Sequence, residues 1–155
     1  MQRAALAEVS AALESGAPFS EPLAVLPDAP DALASVAGEG VPTLAALRSA
    51  FPDAARSALR DMHDVPADAS ATERLAAFLK KQTNARSLSP REGDDPDAVL
   101  SRAEAALNGG DLGLALSELS GLPDGAIDSL SGWIAQAETR VAATAAVQSL
   151  SNELN

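Results

Sequence analysis

Cysteine and tyrosine are absent from this chain, and aromatic residues fill only 3% of its 155 positions, as three Phe and one Trp. Without cysteine there is no disulfide framework, no thiolate nucleophile and no thiolate metal site. With so few aromatics a core has to be assembled from Ala, Leu and Val, which suits closely packed helices better than sheet. Cations are scarce too: 11 Lys and Arg stand against 22 Asp and Glu, a net charge of −11. Affinity for nucleic acid comes from neutralising phosphates, so nucleic acid is not an expected partner. No run of about 18 apolar residues exists to span a bilayer as a helix. The opening stretch MQRAALAEVSAALESG also lacks the apolar centre of a signal peptide.

What is present is a 46% hydrophobic chain, long enough for one domain with its own core. The pattern predicts an all-α bundle of about six to eight helices. Residues 1–155 read as a single domain in three stretches: N-terminal helices over 1–87, a mobile Pro- and Gly-rich loop over 88–96, and a helical hairpin with one long terminal helix over 97–155.

In the first stretch, Ala5, Leu6, Val9 and Leu13 recur at helical spacing until Gly16 and Pro18 stop the run. Ser20 starts a short helix, with Phe19 placed to staple onto Ala24. Asp28 is positioned to cap the next, which holds Leu33 and Val36 and ends at Gly38-Glu39-Gly40. Thr43 caps a helix with Leu44, Leu47 and Phe51, and Pro52 is expected to kink or restart it.

The hairpin closes through Asn108-Gly109-Gly110-Asp111-Leu112. From about Gly125 to Asn152 no breaker interrupts an Ala-rich helix, since one Gly costs only about 1 kcal/mol. Its main apolar stripe, Ile127, Leu130, Ile134, Ala137, Val141 and Ala145, is expected to face its own bundle. Trp133, Arg140, Val147 and Leu154 form a second line at seven-residue steps. That line is either buried by a central helix within one chain or meets a second copy in self-association.

Reactive constellations do not emerge. His63 stands alone at a helix end, and no Ser or Thr is tied to it by a motif. The acidic loop Glu92-Gly93-Asp94-Asp95-Pro96-Asp97 lacks the spacing and closing Glu of a calcium-binding loop, and reads as caps for the following helix. Gly109-Gly110 follows no strand and precedes no Gly-Lys-Ser, so it is a helix turn. No catalytic, cofactor or metal residues are assigned, and the expectation is a protein that is not an enzyme.

One segment departs from the acidic background. Between Ser70 and Arg91, five cations face the single acid Glu73, a balance of +4 where the rest of the chain sums to −15. Leu75, Phe78 and Leu79 fall together, with Arg74 and Lys81 on one flank and Lys80, Arg86 and Arg91 nearby. A helix arranged in this way suits an anionic lipid surface, and it equally suits a bundle with its lysines in water.

The order of these features resembles the mitofilin family over nearly the whole chain. The residues carrying the likeness begin with Gly16-Ala17-Pro18-Phe19 before Glu21 and Leu23, and Gly40-Val41-Pro42-Thr43 before Leu47 and Phe51. They continue with Gly110-Asp111-Leu112, Ala115 and Leu116, the break Gly121-Leu122-Pro123, then Trp133, Ile134, Ala137, Arg140 and Gln148. One departure is that the family's Trp helix usually has more basic character than the single Arg140 provides. The resemblance implies a non-enzymatic scaffold of mitochondrial and bacterial inner membranes that shapes invaginations or cristae-junction-like necks. It further implies that this is the C-terminal part of a longer, membrane-anchored protein, a bacterial member facing the periplasm. The expected partners are copies of itself as a homodimer or higher assembly, an anionic lipid surface, and outer-membrane or other scaffold proteins. A different class, a tetratricopeptide-like peptide-binding adaptor, would need a second copy of the hairpin at a fixed period, and none is found.

Overall fold

The computed structural model of the protein describes residues 1–63 and 95–154. Among these residues every regular element is a helix: α1 Gln2–Ser15, α2 Ser20–Leu23, α3 Asp31–Ala34, α4 Leu44–His63, α5 Pro96–Gly109, α6 Leu112–Leu119 and α7 Asp124–Glu153. The architecture is an all-α bundle with a C-terminal hairpin and a long terminal helix. The chain forms two compact units, residues 1–50 with 132–155, and residues 51–131. The divisions fall inside α4 and α7. The expected three-stretch division differs from this one, and most of its 88–96 loop lies outside the described residues.

In the first unit, α1 buries Ala5, Leu6, Val9, Ala12 and Leu13 on one face. It ends at Gly16, whose left-handed φ of 76° lets its N–H reach the Ala12 carbonyl at 2.8 Å. The chain then turns through α2 and α3, which sink Phe19, Leu23 and Leu33 into the same core. Asp28 is not the cap expected of it. It takes a positive φ of 54° in the turn before α3, which begins with Pro30 at its N-cap. Asp tolerates the left-handed region better than most residues, so the turn uses its backbone rather than its carboxylate.

Thr43 does cap α4: its Oγ1 accepts from the Ala46 N–H at 3.0 Å. Contrary to the expected restart, α4 runs unbroken through Pro52. A proline inside a helix costs about 3 kcal/mol. One face of α4 carries Leu47, Phe51 and Ala58, all essentially sequestered from solvent, and that burial offsets the cost.

The second unit contains the α5/α6 hairpin. Gly110 adopts a φ of 90° to end α5, and the Asp111 carboxylate then accepts from the Leu114 N–H at 2.8 Å to start α6. Fully buried Ala103 on α5 and Ala115 on α6 supply small contact surfaces, and an Arg102–Glu118 ion pair of 2.8 Å links the two helices. Asp95 occupies the N-cap of α5 without the side-chain cap bond expected of it, and Pro96 fills the first turn.

Helix α7 corrects the expected stripe. Its buried positions are Ala126, Leu130, Trp133, Ala137, Arg140, Ala143 and Leu150, with Val147 and Leu154 packed partly against the core. These follow one another in steps of three and four, so α7 has one inward seam. Val141 and Ala145 are exposed, while Ile127 and Ile134 are half-buried. The second line drawn from the sequence lies wholly on this seam, with Leu130 and Ala137 of the first, while Ile127, Ile134 and Val141 each stand one residue off it.

Candidate functional site

The first unit brings two glycine turns into close backbone contact. Gly40, with φ 83°, sits so near the first glycine turn that a Cβ there would lie 2.4 Å from the Gly16 carbonyl oxygen and 2.9 Å from that of Ala17. Gly16 in turn leaves room for the Thr43 methyl and the Val41 carbonyl. The two sequence landmarks Gly16-Ala17-Pro18-Phe19 and Gly40-Val41-Pro42-Thr43 thus pack against each other. A further bond ties Phe19 N–H to the Ala37 carbonyl at 2.8 Å, and Phe19 and Val41 are both buried.

Two residues of α7 fasten this pair of turns. Arg140, with its side chain only 9% exposed, donates from Nη1 to the Leu13 carbonyl at 2.8 Å and the Pro42 carbonyl at 3.2 Å. Its Nη2 meets Glu14 Oε1 at 2.9 Å. Leu13 lies in the last turn of α1, where unpaired carbonyls carry partial negative charge that suits a cation. One guanidinium therefore holds the end of α1 and the Gly40 turn together, with its planar donors matched to acceptors in different directions. Two helical turns earlier, the buried Trp133 indole donates to the Leu47 carbonyl at 3.0 Å and holds α7 to the start of α4.

Beside these fastenings lies a wide-mouthed groove of about 630 Å³ within the same unit, bordered by Val36, Glu39, Gly40 and Ala46 on one side and Ala135, Gln136 and Thr139 of α7 on another. Its walls are mainly small or apolar. Among the described residues, no group of three His, Asp or Glu side chains is arranged to hold a metal ion, and no helix is long and apolar enough to cross a membrane. The groups gathered here bind and brace: guanidinium, indole N–H, carbonyls and the exposed carboxylates of Glu14 and Glu39.

The self-association line expected from the sequence is turned inward. Trp133 and Arg140 are buried, and Val147 and Leu154 pack against the core of the first unit. Of the two alternatives for this line, the structure shows burial within one chain, so the four residues do not form an exposed patch. The lipid-contact residues Arg74, Leu75, Phe78, Leu79, Lys80, Lys81, Arg86 and Arg91 lie outside the described residues. His63 ends α4. Sequence reasoning missed the Leu13, Glu14 and Pro42 partners of Arg140, as well as Glu39, Gln136 and Thr139 of the groove. The signal available was Arg140 itself, a lone cation in a long stretch of small and apolar residues.

Comparison with family models, with curated proteins and with solved structures finds no match to this chain.

Proposed function

We infer that this chain is the helical end domain of a non-enzymatic membrane-organising scaffold of the mitofilin kind. The observation that carries the reading is the convergence of its resemblance-bearing residues. Gly16 and Gly40 meet through their backbones, Arg140 bridges the segments on either side, and Trp133 bonds the carbonyl of Leu47. Landmarks 98 positions apart in sequence, Pro42 and Arg140, serve one piece of structure. That is what a family signature built on architecture, rather than on catalysis, would require.

On this reading the domain stands on the periplasmic side of a bacterial inner membrane, anchored by other parts of a longer protein. It assembles with its own copies, meets outer-membrane or other scaffold proteins, and contributes weak lipid contacts through the basic segment between Ser70 and Arg91. Many weak contacts combined in an assembly can shape a membrane where one cannot. The test is flotation of the chain with vesicles of neutral lipid and of lipid containing anionic headgroups, together with sedimentation across a concentration series. Preference for anionic vesicles that fades with salt, and a concentration-dependent assembly, are the expected results. Equal behaviour with both vesicles and a monomer throughout would refute the scaffold reading.

A further inference from the structure

We propose that the groove of the first unit is a docking site for a protein segment that presents an apolar side chain next to a lysine or arginine. Three observations point to that occupant. The first is shape. The groove is open because residues on its borders are small, Gly16, Gly40, Ala46 and Ala135 among them, while Val36 and Val41 give it an apolar lining. Its frame is fixed, since Gly40 is seated on the Gly16 carbonyl and Ala46 adjoins Leu47, the acceptor of the Trp133 indole. A frame held in advance loses little freedom when a partner arrives.

The second is unspent hydrogen-bonding capacity. Glu39 and Gln136 both line the groove, both are exposed, and neither side chain has a hydrogen bond or ion pair among the described residues. The Glu39 carboxylate can accept from a cation. The Gln136 amide can donate to and accept from an extended backbone.

The third is charge. Residues 1–50 and 132–155 carry Arg3, Arg48 and Arg140 against eight carboxylates, a side-chain balance of −5. Arg140 is consumed by Leu13, Pro42 and Glu14, and Arg3 by the Leu154 carbonyl. A field of this sign repels anionic headgroups and draws a cationic segment in, raising its rate of encounter. The partner is therefore a basic protein segment rather than a lipid. The proposal does not rest on the membrane-scaffold reading, because it uses neither the basic segment nor any lipid contact.

The test uses the full chain labelled with nitrogen-15 and titrated with the peptide acetyl-Leu-Lys-Ala-Leu-Lys-amide, with its Glu-for-Lys twin as control. The expected result is a set of amide shifts confined to the neighbourhood of Glu39, Ala46, Gln136 and Thr139, with the acidic twin giving none. Glu39→Gln should weaken binding about two- to fivefold, the range for one exposed ion pair. Ala135→Leu, which fills the groove at an exposed helical position, should remove the localised shifts. Gln136→Arg, at another exposed position of the same helix, should weaken the lysine peptide by placing a like charge in its path, and guards against a folding defect in the leucine variant. Shifts spread over the acidic surface, retention of binding by both Ala135→Leu and Gln136→Arg, equal binding of the twin, or the same shifts produced by anionic vesicles would each overturn the proposal. Failure here alongside normal flotation would leave the scaffold reading intact.

Discussion

Arg3 and Arg140 cap each other's helices. Arg3, in the first turn of α1, donates to the Leu154 carbonyl at the end of α7 through Nε at 3.2 Å and Nη2 at 2.7 Å. Arg140, on α7, donates to the Leu13 carbonyl in the last turn of α1. The start of one helix therefore lies by the end of the other, and each negative helix end is met by a cation from its neighbour. The two caps differ in depth. Arg3 is exposed, whereas Arg140 is almost wholly buried and has a second carbonyl, that of Pro42, to satisfy.

That difference sets the order of mutational cost. Arg140→Ala should destabilise the chain by about 2–4 kcal/mol, because two carbonyls and a packed side chain lose their partner. Arg140→Lys should recover only part of this, since an ammonium cannot reach three acceptors in the same plane. Arg3→Ala should cost about 0.3–1 kcal/mol as an exposed helix-end contact. Glu14→Gln should cost no more than about 1 kcal/mol, because that carboxylate is 77% exposed. Urea unfolding of the four variants measures the series, and an Arg140→Ala cost no larger than that of Arg3→Ala would show that the buried clamp contributes nothing special.

The glycines divide into opposite classes. Gly40→Ala combines a left-handed backbone with a Cβ 2.4 Å from a backbone oxygen, and should cost about 1–3 kcal/mol or more. Gly132→Ala lies inside α7 with nothing within 4 Å of the added carbon, so it should stabilise by about 0.5–1 kcal/mol. Thermal melts of the two single variants should therefore move in opposite directions. Movement in the same direction would contradict the backbone geometry of one of them.

Much of the local structure was legible in the sequence for reasons that are themselves local. Gly16 after an apolar run, Thr43 before Leu44, and Gly110-Asp111 each carry their own backbone or capping chemistry, and α1, α4, α5 and α6 start or stop at these points. The inward face of α7 was legible only in part: Leu130, Ala137 and the line through Trp133 and Arg140 were singled out, but not as one seam. Trp133 and Ile134 are neighbours, both apolar, and a helix whose outer surface is also rich in alanine offers little contrast between faces. The choice is made by acceptors elsewhere: the carbonyls of Leu13, Pro42 and Leu47 draw Arg140 and Trp133 inward. Arg140, left between burial and self-association by the sequence, is a buried brace. The restart expected at Pro52 failed for a related reason, since its local penalty is visible in sequence while the burial of Leu47, Phe51 and Ala58 on the same helix is tertiary.

The basic segment makes a separate prediction. Lys80→Glu with Lys81→Glu should lower binding to anionic vesicles, and raising salt should weaken the parent chain in the same direction, since exposed charges are screened beyond about 8 Å at physiological ionic strength. Each cation near such a surface contributes on the order of 1 kcal/mol. The double variant should retain its helical circular dichroism. Unchanged flotation of a folded double variant would assign these lysines to solvent.

Trp133 distinguishes burial from association. Its indole is 6% exposed and bonded to Leu47, so its emission should be that of a buried, quencher-protected tryptophan at every protein concentration, including those at which the chain is monomeric. Replacing Trp133 and Val147 with Ser, a change that would merely disperse copies if these residues formed an exposed contact, should instead unfold the first unit. Each substitution removes core volume and introduces a hydroxyl, and loss of a buried Trp alone costs about 3–5 kcal/mol. Trp133→Phe keeps most of the volume and should cost far less, about the worth of one hydrogen bond plus a small cavity. A cooperative, folded Ser double variant that sediments as a smaller species than the parent would return this line to the interface between copies. If assembly occurs while the double variant unfolds, self-association runs through another surface, and the seam of α7 belongs to the chain's own core.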